Sequence, residues 1–166
     1  TSGCKLMEDE AIEAITARLI PLATLITPNL SEAEILAGQK INTVEDMKRQ
    51  AKKMLELGCK GVLIKGGHLD GGEMCDVLQT TDENVPHLFT APKVESRNTH
   101  GTGCTLSSAI ATYLALGESV ACAVEKAKQY VYLGIESGKD VCIGHGHGPL
   151  NHFYSPVPMH IFDKNE

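Results

Sequence analysis

The amino-acid sequence predicts an α/β fold with a mostly parallel central sheet. Stretches with the 3.6-residue apolar period of helices alternate with short apolar stretches of strand length. The connections between the predicted helices and strands are short, as a parallel α/β layer structure requires. A chain of 166 residues is long enough to form one domain, or a large piece of one, around a buried core.

Five helices are predicted, most of them from a recognisable start or stop signal. The first ends at Pro21, the second is closed by Gly38, and the third is capped by Thr43 and closed by Gly58. The fourth carries no charged residue and is therefore expected to be buried, whereas the fifth is amphipathic. The predicted helices span residues 8–20, 30–37, 43–57, 103–116 and 119–136.

Four strands are predicted between these helices. The first is short and apolar and ends before Pro28, and the second is built on Val62, Leu63 and Ile64. A polar turn joins the last two strands, so we expect them to form a local antiparallel excursion from the sheet. The predicted strands span residues 22–27, 60–65, 74–79 and 87–91.

The composition excludes several classes of function. Lys plus Arg number 15 and Asp plus Glu 21, giving a net charge of −6, so nothing indicates a nucleic-acid partner or an anionic membrane surface. Trp is absent and aromatic residues make up 4%, which argues against base-stacking platforms. The uncharged stretch 98–117 is too polar and too rich in glycine to span a membrane.

The six cysteines form no CxxC pair and no zinc-ligand spacing. Scattered thiols in a chain without a signal peptide favour a reducing, cytoplasmic location over a disulfide scaffold. The first residue is Thr1 and not Met. We therefore expect the chain to be processed, cut or incompletely represented.

The segment from Asn98 to Thr105, NTHGTGCT, leads into the fourth predicted helix. Gly101 and Gly103 leave room for a ligand beside backbone N–H groups, and the positive end of the helix dipole favours an anion. The segment lacks the Gly-Lys-Ser/Thr of a Walker A loop and the third glycine of the dinucleotide fingerprint. Cys104 is either a thiolate able to accept a proton or to attack, or a small buried filler, and both interpretations remain open.

The segment 27–34 follows a strand and opens a helix, where α/β proteins place ligands. Capping is the favoured interpretation, because Ser31-x-x-Glu34 has the pattern of a capping box and Asn29-x-x-Glu32 has the same spacing. The functional alternative is that Asn29 and Glu32 organise a hydrated Mg²⁺, which keeps several waters and uses few carboxylates.

Lys65 ends an apolar strand within segment 62–68 and is followed by two glycines. A lysine in this place suits a phosphate contact. The alternative, slightly favoured on these residues alone, is a lysine that reaches solvent before a flexible loop.

The glycine-rich tail contains His145, His147 and His152. Three neighbouring histidines can bind a metal. No carboxylate or thiol has matching spacing, so a flexible surface loop is the preferred interpretation.

These motifs, in this order, resemble the hydroxymethylpyrimidine and hydroxymethylpyrimidine-phosphate kinases of thiamine biosynthesis, members of the ribokinase-like superfamily. The resemblance implies a three-layer α/β/α sandwich and ATP-dependent phosphorylation of hydroxymethylpyrimidine, its monophosphate, or both, with Mg²⁺. It runs from residue 1 to about residue 154. The similar segments are 1–3, 25–34, 62–68, 98–107 and 144–152.

The resemblance also implies roles for individual residues around the transferred phosphate. Gly101, Thr102 and Gly103 would form the anion hole for the γ-phosphate, and Cys104 would stand in the place of the catalytic base. Phosphoryl transfer depends mainly on positioning and charge neutralisation, which such a helix N-terminus supplies. A thiolate there is also a plausible acceptor for the proton of a primary alcohol.

Four further residues match positions of the family that serve the nucleotide. Asn29 and Glu32 match an Asn-x-x-Glu motif that supports Mg²⁺ and phosphate, Glu32 acting indirectly through water. Lys65 matches a lysine that reaches the nucleotide phosphates. Lys128 falls where the family has a lysine near the nucleotide.

One departure from the family pattern affects the activity that can be expected. The family begins with a portion containing a Gly-Thr-Asp-x-Ser-Gly-Gly-type motif, which supplies most of the pyrimidine pocket, and nothing here matches it. Residues 1–166 are therefore interpreted as the C-terminal, nucleotide-binding portion of a single ribokinase-like domain. We expect the chain alone to be inactive, and the resemblance implies a homodimer for the full-length enzyme.

Three alternatives remain open from the sequence. The nearest is a pyridoxine/pyridoxal kinase of the same superfamily, since some of these enzymes also carry Gly-Thr-Gly-Cys. The second is a non-catalytic module that binds nucleotide and assembles with another chain. The third is an enzyme that uses Cys104 as a covalent nucleophile together with His100, although no separate base is visible beside the cysteine.

Overall fold

The computed structural model describes residues 8–66 and 73–158, which form helices and strands of an α/β protein. The chain divides after Lys93 into two compact units. Gly67 and His68 of the predicted phosphate-contact segment, and residues 1–3 of the family resemblance, lie outside the described residues.

The helices of the first unit begin and end close to the predicted positions. Thr43 caps the third helix through a capping box with Asp46, and Gly38 and Gly58 adopt the left-handed conformation after their helical segments. Pro21 lies in a short 3₁₀ turn. The elements are α1 (Asp9–Arg18), the 3₁₀ turn Ile20–Leu22, α2 (Leu30–Ala37), α3 (Val44–Met54) and the 3₁₀ turn Leu55–Leu57.

Three antiparallel strands in the order β1-β2-β3 form the sheet of the first unit: β1 (Gly61–Lys65), β2 (Glu73–Thr80) and β3 (His87–Pro92). In this register Lys65, the last residue of β1, lies opposite Asp76. The centre of β1 is fully buried, and Met47 and Met54 of α3 belong to the same apolar core.

A mostly parallel sheet is not confirmed by the described residues, because all three strands pair antiparallel. The predicted strand 22–27 is replaced by the 3₁₀ turn and an extended segment. That segment does run parallel to β1: Ile26 lies opposite Val62 and Asn29 opposite Lys65. Pro28 lies between these two bridges and has no N–H group to donate, which interrupts the pairing.

The second unit contains α4 (Thr102–Ala115) packed against α5 (Val120–Gly138), and Ser119 caps α5. The prediction that the uncharged helix is buried is wrong in part. Only Leu106 and Ile110 of α4 are buried, and much of the opposite face, with its small residues, is exposed. Within residues 8–66 and 73–158, no helix is long and apolar enough to cross a membrane.

The glycine-rich tail is held in place at its centre. Gly148 and Leu150 are buried, the Gly148 carbonyl accepts the His100 N–H at 3.0 Å, and the Asn151 N–H donates to the Gly134 carbonyl at 2.8 Å. Glycines 134 and 138 let the tail approach α5, because a Cβ at either position would lie 3.0–3.1 Å from Leu150 or Asn151. The tail histidines are exposed, and the described chain contains no cluster of metal-ligating side chains.

Candidate functional site

The turn at Gly101 starts α4 without a side-chain cap. Gly101 has a φ of 87°, in the left-handed region that favours glycine. Its carbonyl accepts the N–H of Thr105 at 2.9 Å and the Thr105 hydroxyl at 2.8 Å. In this part of the structure no side chain occupies the N–H groups of Gly103 and Cys104, so the helix start can receive an anion.

Cys104 lies in the first turn of α4, and its side chain is exposed. The interpretation of this residue as a small buried filler is therefore wrong. Within the described chain no hydrogen bond joins Cys104 to His100, whose N–H is bonded to the Gly148 carbonyl. The arrangement accordingly offers a solvent-accessible thiol at a helix N-terminus and does not present a formed Cys–His pair.

A cleft of about 460 Å³ opens along α4 beside Cys104. Its lining contains hydroxyl groups, two tyrosine rings and one histidine, and no carboxylate or lysine. The Tyr130 hydroxyl donates to the His152 carbonyl at 3.2 Å, which ties α5 to the tail at this place. The lining residues are Cys104, Thr105, Ser108, Ala109, Thr112, Tyr113, Tyr130 and His152.

Tyr113, one of the residues lining this cleft, also contacts a charged side chain. The Lys126 ammonium lies 5.7 Å from the centre of the Tyr113 ring and pairs with the Glu118 carboxylate. The hydrogen bond to Lys126 lowers the pKa of Glu118, and the same bond raises the pKa of Lys126. A hydrogen bond to Glu118 raises the pKa of the Cys122 thiol, which therefore stays protonated at neutral pH.

In the first unit, Asn29 and Glu32 form a complete capping box at the start of α2. The Glu32 N–H donates to Asn29 Oδ1 at 2.9 Å, and the Asn29 N–H donates to Glu32 Oε2 at 2.7 Å. The predicted Ser31–Glu34 box is not formed. Glu34 instead accepts from Lys40 and from the Ile41 N–H, which together lower the pKa of its carboxyl.

Lys65 lies directly beside this capping box. Its backbone forms the parallel bridge to Asn29, and its N–H donates to the Pro28 carbonyl at 2.9 Å. Within the parts of the chain described, no carboxylate lies within ion-pair distance of the Lys65 ammonium. The ammonium group is therefore available to an anionic ligand.

A buried carboxylate, which the sequence did not single out, binds the backbone of Gly66, the residue after Lys65. Asp76 is 6% exposed, and its Oδ1 accepts the Gly66 N–H at 2.9 Å. Gly66 is pressed against β2, since a Cβ there would lie 1.9 Å from the Cys75 carbonyl oxygen. Asp76 could have been singled out only from its position opposite Lys65, and that position is known only once the register between β1 and β2 is known.

The structure thus collects the predicted residues into two groups. Asn29, Glu32 and Lys65 lie together in the first unit. Residues 101–104 lie at the start of α4 in the second unit, and Lys128 lies half-buried on α5 of that unit. Sequence reasoning missed the lining of the cleft because Tyr113, Tyr130 and His152 are far apart in the chain and belong to no motif.

Comparison with known families identifies the chain. The profile of the phosphomethylpyrimidine kinase family matches residues 1–151. The chain belongs to this family. The match includes both groups of predicted residues, and phosphomethylpyrimidine kinases are the family that the motifs in the sequence resemble.

Individual members of the phosphomethylpyrimidine kinase family and its structural neighbours agree with this assignment. The hydroxymethylpyrimidine/phosphomethylpyrimidine kinase of Rhizobium meliloti is 43% identical over 93% of this chain and 58% of its own length. The solved phosphomethylpyrimidine kinase of Clostridium difficile is 45% identical, with a TM-score of 0.66 over 80% of this chain and 52% of its own. The ADP complex of Bacillus subtilis pyridoxal kinase is 35% identical, with a TM-score of 0.79 over 89% and 56%.

The chain spans about half the length of the curated kinases that it matches. It covers 58% of the Rhizobium meliloti enzyme and 54% of the Streptomyces coelicolor enzyme. The remaining part of such a relative, which this chain does not match, is called the complementary segment below.

Proposed function

We propose that the chain is the nucleotide-binding portion of a kinase that uses ATP to phosphorylate 4-amino-5-hydroxymethyl-2-methylpyrimidine, its monophosphate, or both. The fold that this proposal requires is a ribokinase-like three-layer sandwich with a mostly parallel central sheet, of which residues 1–166 are the C-terminal portion. The observation that carries the proposal is the uncapped start of α4, where free N–H groups and the exposed Cys104 thiol occur together.

The chemistry follows from the properties of the turn at the start of α4. An oxygen of the acceptor attacks the γ-phosphorus of ATP, the bond from that phosphorus to the β–γ bridging oxygen breaks, and ADP leaves. The N–H groups of Gly103 and Cys104 stabilise the charge on the transferred group, with Gly101 and Thr102 shaping the turn. When the acceptor is the alcohol, the Cys104 sulfur takes its proton.

The first unit supplies the second set of contacts in this proposal. Lys65 contributes a positive charge to the nucleotide phosphates, and Lys128 on α5 is the further lysine that we assign to nucleotide binding. Glu32 fits a hydrated Mg²⁺: it is exposed, and only its Oε2 atom is used by the capping box. A single carboxylate acting through water is typical of Mg²⁺ carried by nucleotide phosphates, where the ion neutralises their charge.

A specific observation favours a second acceptor, pyridoxal. The solved pyridoxal kinase of Staphylococcus aureus has a TM-score of 0.82 to this chain at 34% identity, above the 0.66 of the phosphomethylpyrimidine kinase structure. The curated relatives with higher identity are pyrimidine kinases, so the pyrimidine is the first choice.

The proposal is tested by a kinase assay with Mg-ATP and each of three acceptors: hydroxymethylpyrimidine, its monophosphate and pyridoxal. The chain is assayed alone and together with the complementary segment of the Rhizobium meliloti relative, after its intact mass has been checked. We expect no turnover alone and pyrimidine phosphorylation by the combination. Turnover of pyridoxal only would move the function to the second acceptor, and turnover by the 166 residues alone would contradict the assignment as a partial site.

We further propose a cytoplasmic location and a homodimer for the complete enzyme. The scattered cysteines without a zinc or CxxC pattern support a reducing compartment. Light scattering of the complete enzyme tests the homodimer, and a monomeric mass would contradict it.

A further inference from the structure

Asn98 precedes the Gly101 turn, and its side chain is 5% exposed. Its Nδ2 group donates two hydrogen bonds of 2.7 Å each, to the carbonyl oxygens of Gly138 and Val141. Gly138 is the last residue of α5, and Val141 follows it in the chain. Both amide hydrogens of Asn98 are used, so this side chain ties the approach to the turn to the end of α5.

The oxygen of the same amide faces the tail. A Cβ added to Gly148 would lie 2.1 Å from Asn98 Oδ1, so Gly148 packs against the amide as closely as a residue without a side chain can. The Gly148 carbonyl in turn accepts the His100 N–H at 3.0 Å, and Pro149 forms a parallel bridge with His100. His100 is the residue immediately before Gly101.

We propose that Asn98 is a positioning residue that sets the place of residues 101–104 by joining them to the end of α5 and to the tail. The role of the turn in holding phosphate rests on the proposed function. The contacts of Asn98 with Gly138, Val141 and Gly148, called the joint below, are those described above. The joint needs an amide: it must offer two N–H donors on one side and a compact oxygen against Gly148 on the other. A carboxylate at residue 98 would face two carbonyl oxygens with no hydrogen to donate.

The close approach to Gly148 allows a double-mutant test that addresses this joint directly. Gly148 has no positive φ, so its backbone conformation is compatible with alanine, and only steric contact with neighbouring atoms disfavours a Cβ there. Its nearest obstacles are Oδ1 and Cγ of Asn98, at 2.1 and 2.9 Å, and the Cβ of Asn98 is at 3.6 Å, an ordinary contact. In an Asn98→Ala background both obstacles are gone, and Gly148→Ala becomes sterically tolerable.

The readout is hydrogen exchange of the His100 amide, which needs no ligand. We expect Gly148→Ala alone to accelerate this exchange by at least about ten-fold, and by less than about two-fold when Asn98→Ala is already present. Gly146→Ala is the matched control, since nothing lies within 4 Å of a Cβ there. An equal effect of Gly148→Ala in both backgrounds would overturn the proposal.

A second readout separates positioning from general stability. Asn98→Asp is compared with Asn151→Asp, in which the Oδ1 that accepts the Phe153 N–H is kept. We expect Asn98→Asp to weaken Mg-ATP binding about ten-fold, with a smaller loss for AMP, which has no γ-phosphate, and Asn151→Asp to change neither. Equal losses for ATP and AMP would contradict a role directed at the phosphate turn. If the unsubstituted chain does not bind Mg-ATP, the proposed function fails, while the exchange result still decides the role of Asn98.

Discussion

Asn29 and Lys65 lie opposite each other in a parallel bridge, and the Lys65 N–H donates to the carbonyl of Pro28 at 2.9 Å. The capping box that starts α2 and the lysine that ends β1 are therefore parts of one local structure. Two segments that the sequence offers as separate candidates are held together by backbone hydrogen bonds. The backbone positions of Lys65 and of the capping box with Glu32 are therefore fixed relative to each other within the first unit.

Replacement of Lys65 tests whether its ammonium group contributes to the binding of Mg-ATP. Lys65→Met removes the ammonium while keeping a long side chain, and we expect Mg-ATP affinity to fall roughly ten- to one-hundred-fold, the range of a charge-assisted hydrogen bond. Lys60→Met is the matched control, because Lys60 is exposed just before β1. Titration calorimetry measures both, and an equal affinity of the two variants would contradict the role of Lys65.

Glu32 has a capping role that must be separated from any role toward Mg²⁺. Glu32→Gln keeps an oxygen to accept the Asn29 N–H, so we expect little change in unfolding free energy, whereas Asn29→Ala removes the cap and costs about 1 kcal/mol. The proposed function predicts that Glu32→Gln also weakens the Mg²⁺ dependence of ATP binding. Denaturant unfolding and calorimetry at several Mg²⁺ concentrations measure the two effects. A variant unchanged in both would leave Glu32 as a cap alone.

Substitutions of Cys104 distinguish a role as general base from a role as covalent nucleophile. With the complementary segment supplied, we expect Cys104→Asp to retain part of the phosphorylation rate, because a carboxylate can also accept a proton, and Cys104→Ala to retain less. A nucleophilic cysteine would give no activity in either variant and a covalent adduct in the original chain. Steady-state rates and intact-protein mass spectrometry report the outcome.

Gly66 packs against β2 in a place where a side chain would not fit. Gly66→Ala places a methyl group against the Cys75 carbonyl, and the strand must shift, which we expect to cost about 1–3 kcal/mol of unfolding free energy. Gly146→Ala, in open space, serves as the reference substitution. Chemical denaturation of both proteins is the measurement, and equal stability would show that β2 accommodates the methyl group without strain.

Local signals in the sequence predicted α2 closely, since Gly38 ends it and Asn29 starts it. They also predicted the start of α4 after Gly101 to within one residue, since the helix begins at Thr102 and was expected from residue 103. The antiparallel pairing of β2 with β3 was predicted correctly from the polar turn between them. The antiparallel pairing of β1 with β2 was not predicted, because the apolar run of β1 indicates burial and not the direction of the neighbouring strand. Asn98 and Asp76 escaped assignment for a related reason: each acts on a partner distant in the chain, and only the folded structure shows those contacts.

ATP titration of the 166-residue chain, with and without Mg²⁺, is the direct test of nucleotide binding by this chain. We expect saturable binding at one site that depends on Mg²⁺ and is weakened by Lys65→Met but not by Lys60→Met. Absence of binding at millimolar nucleotide, or binding indifferent to both Mg²⁺ and Lys65, would contradict the assignment of this chain as the nucleotide-binding portion of the kinase.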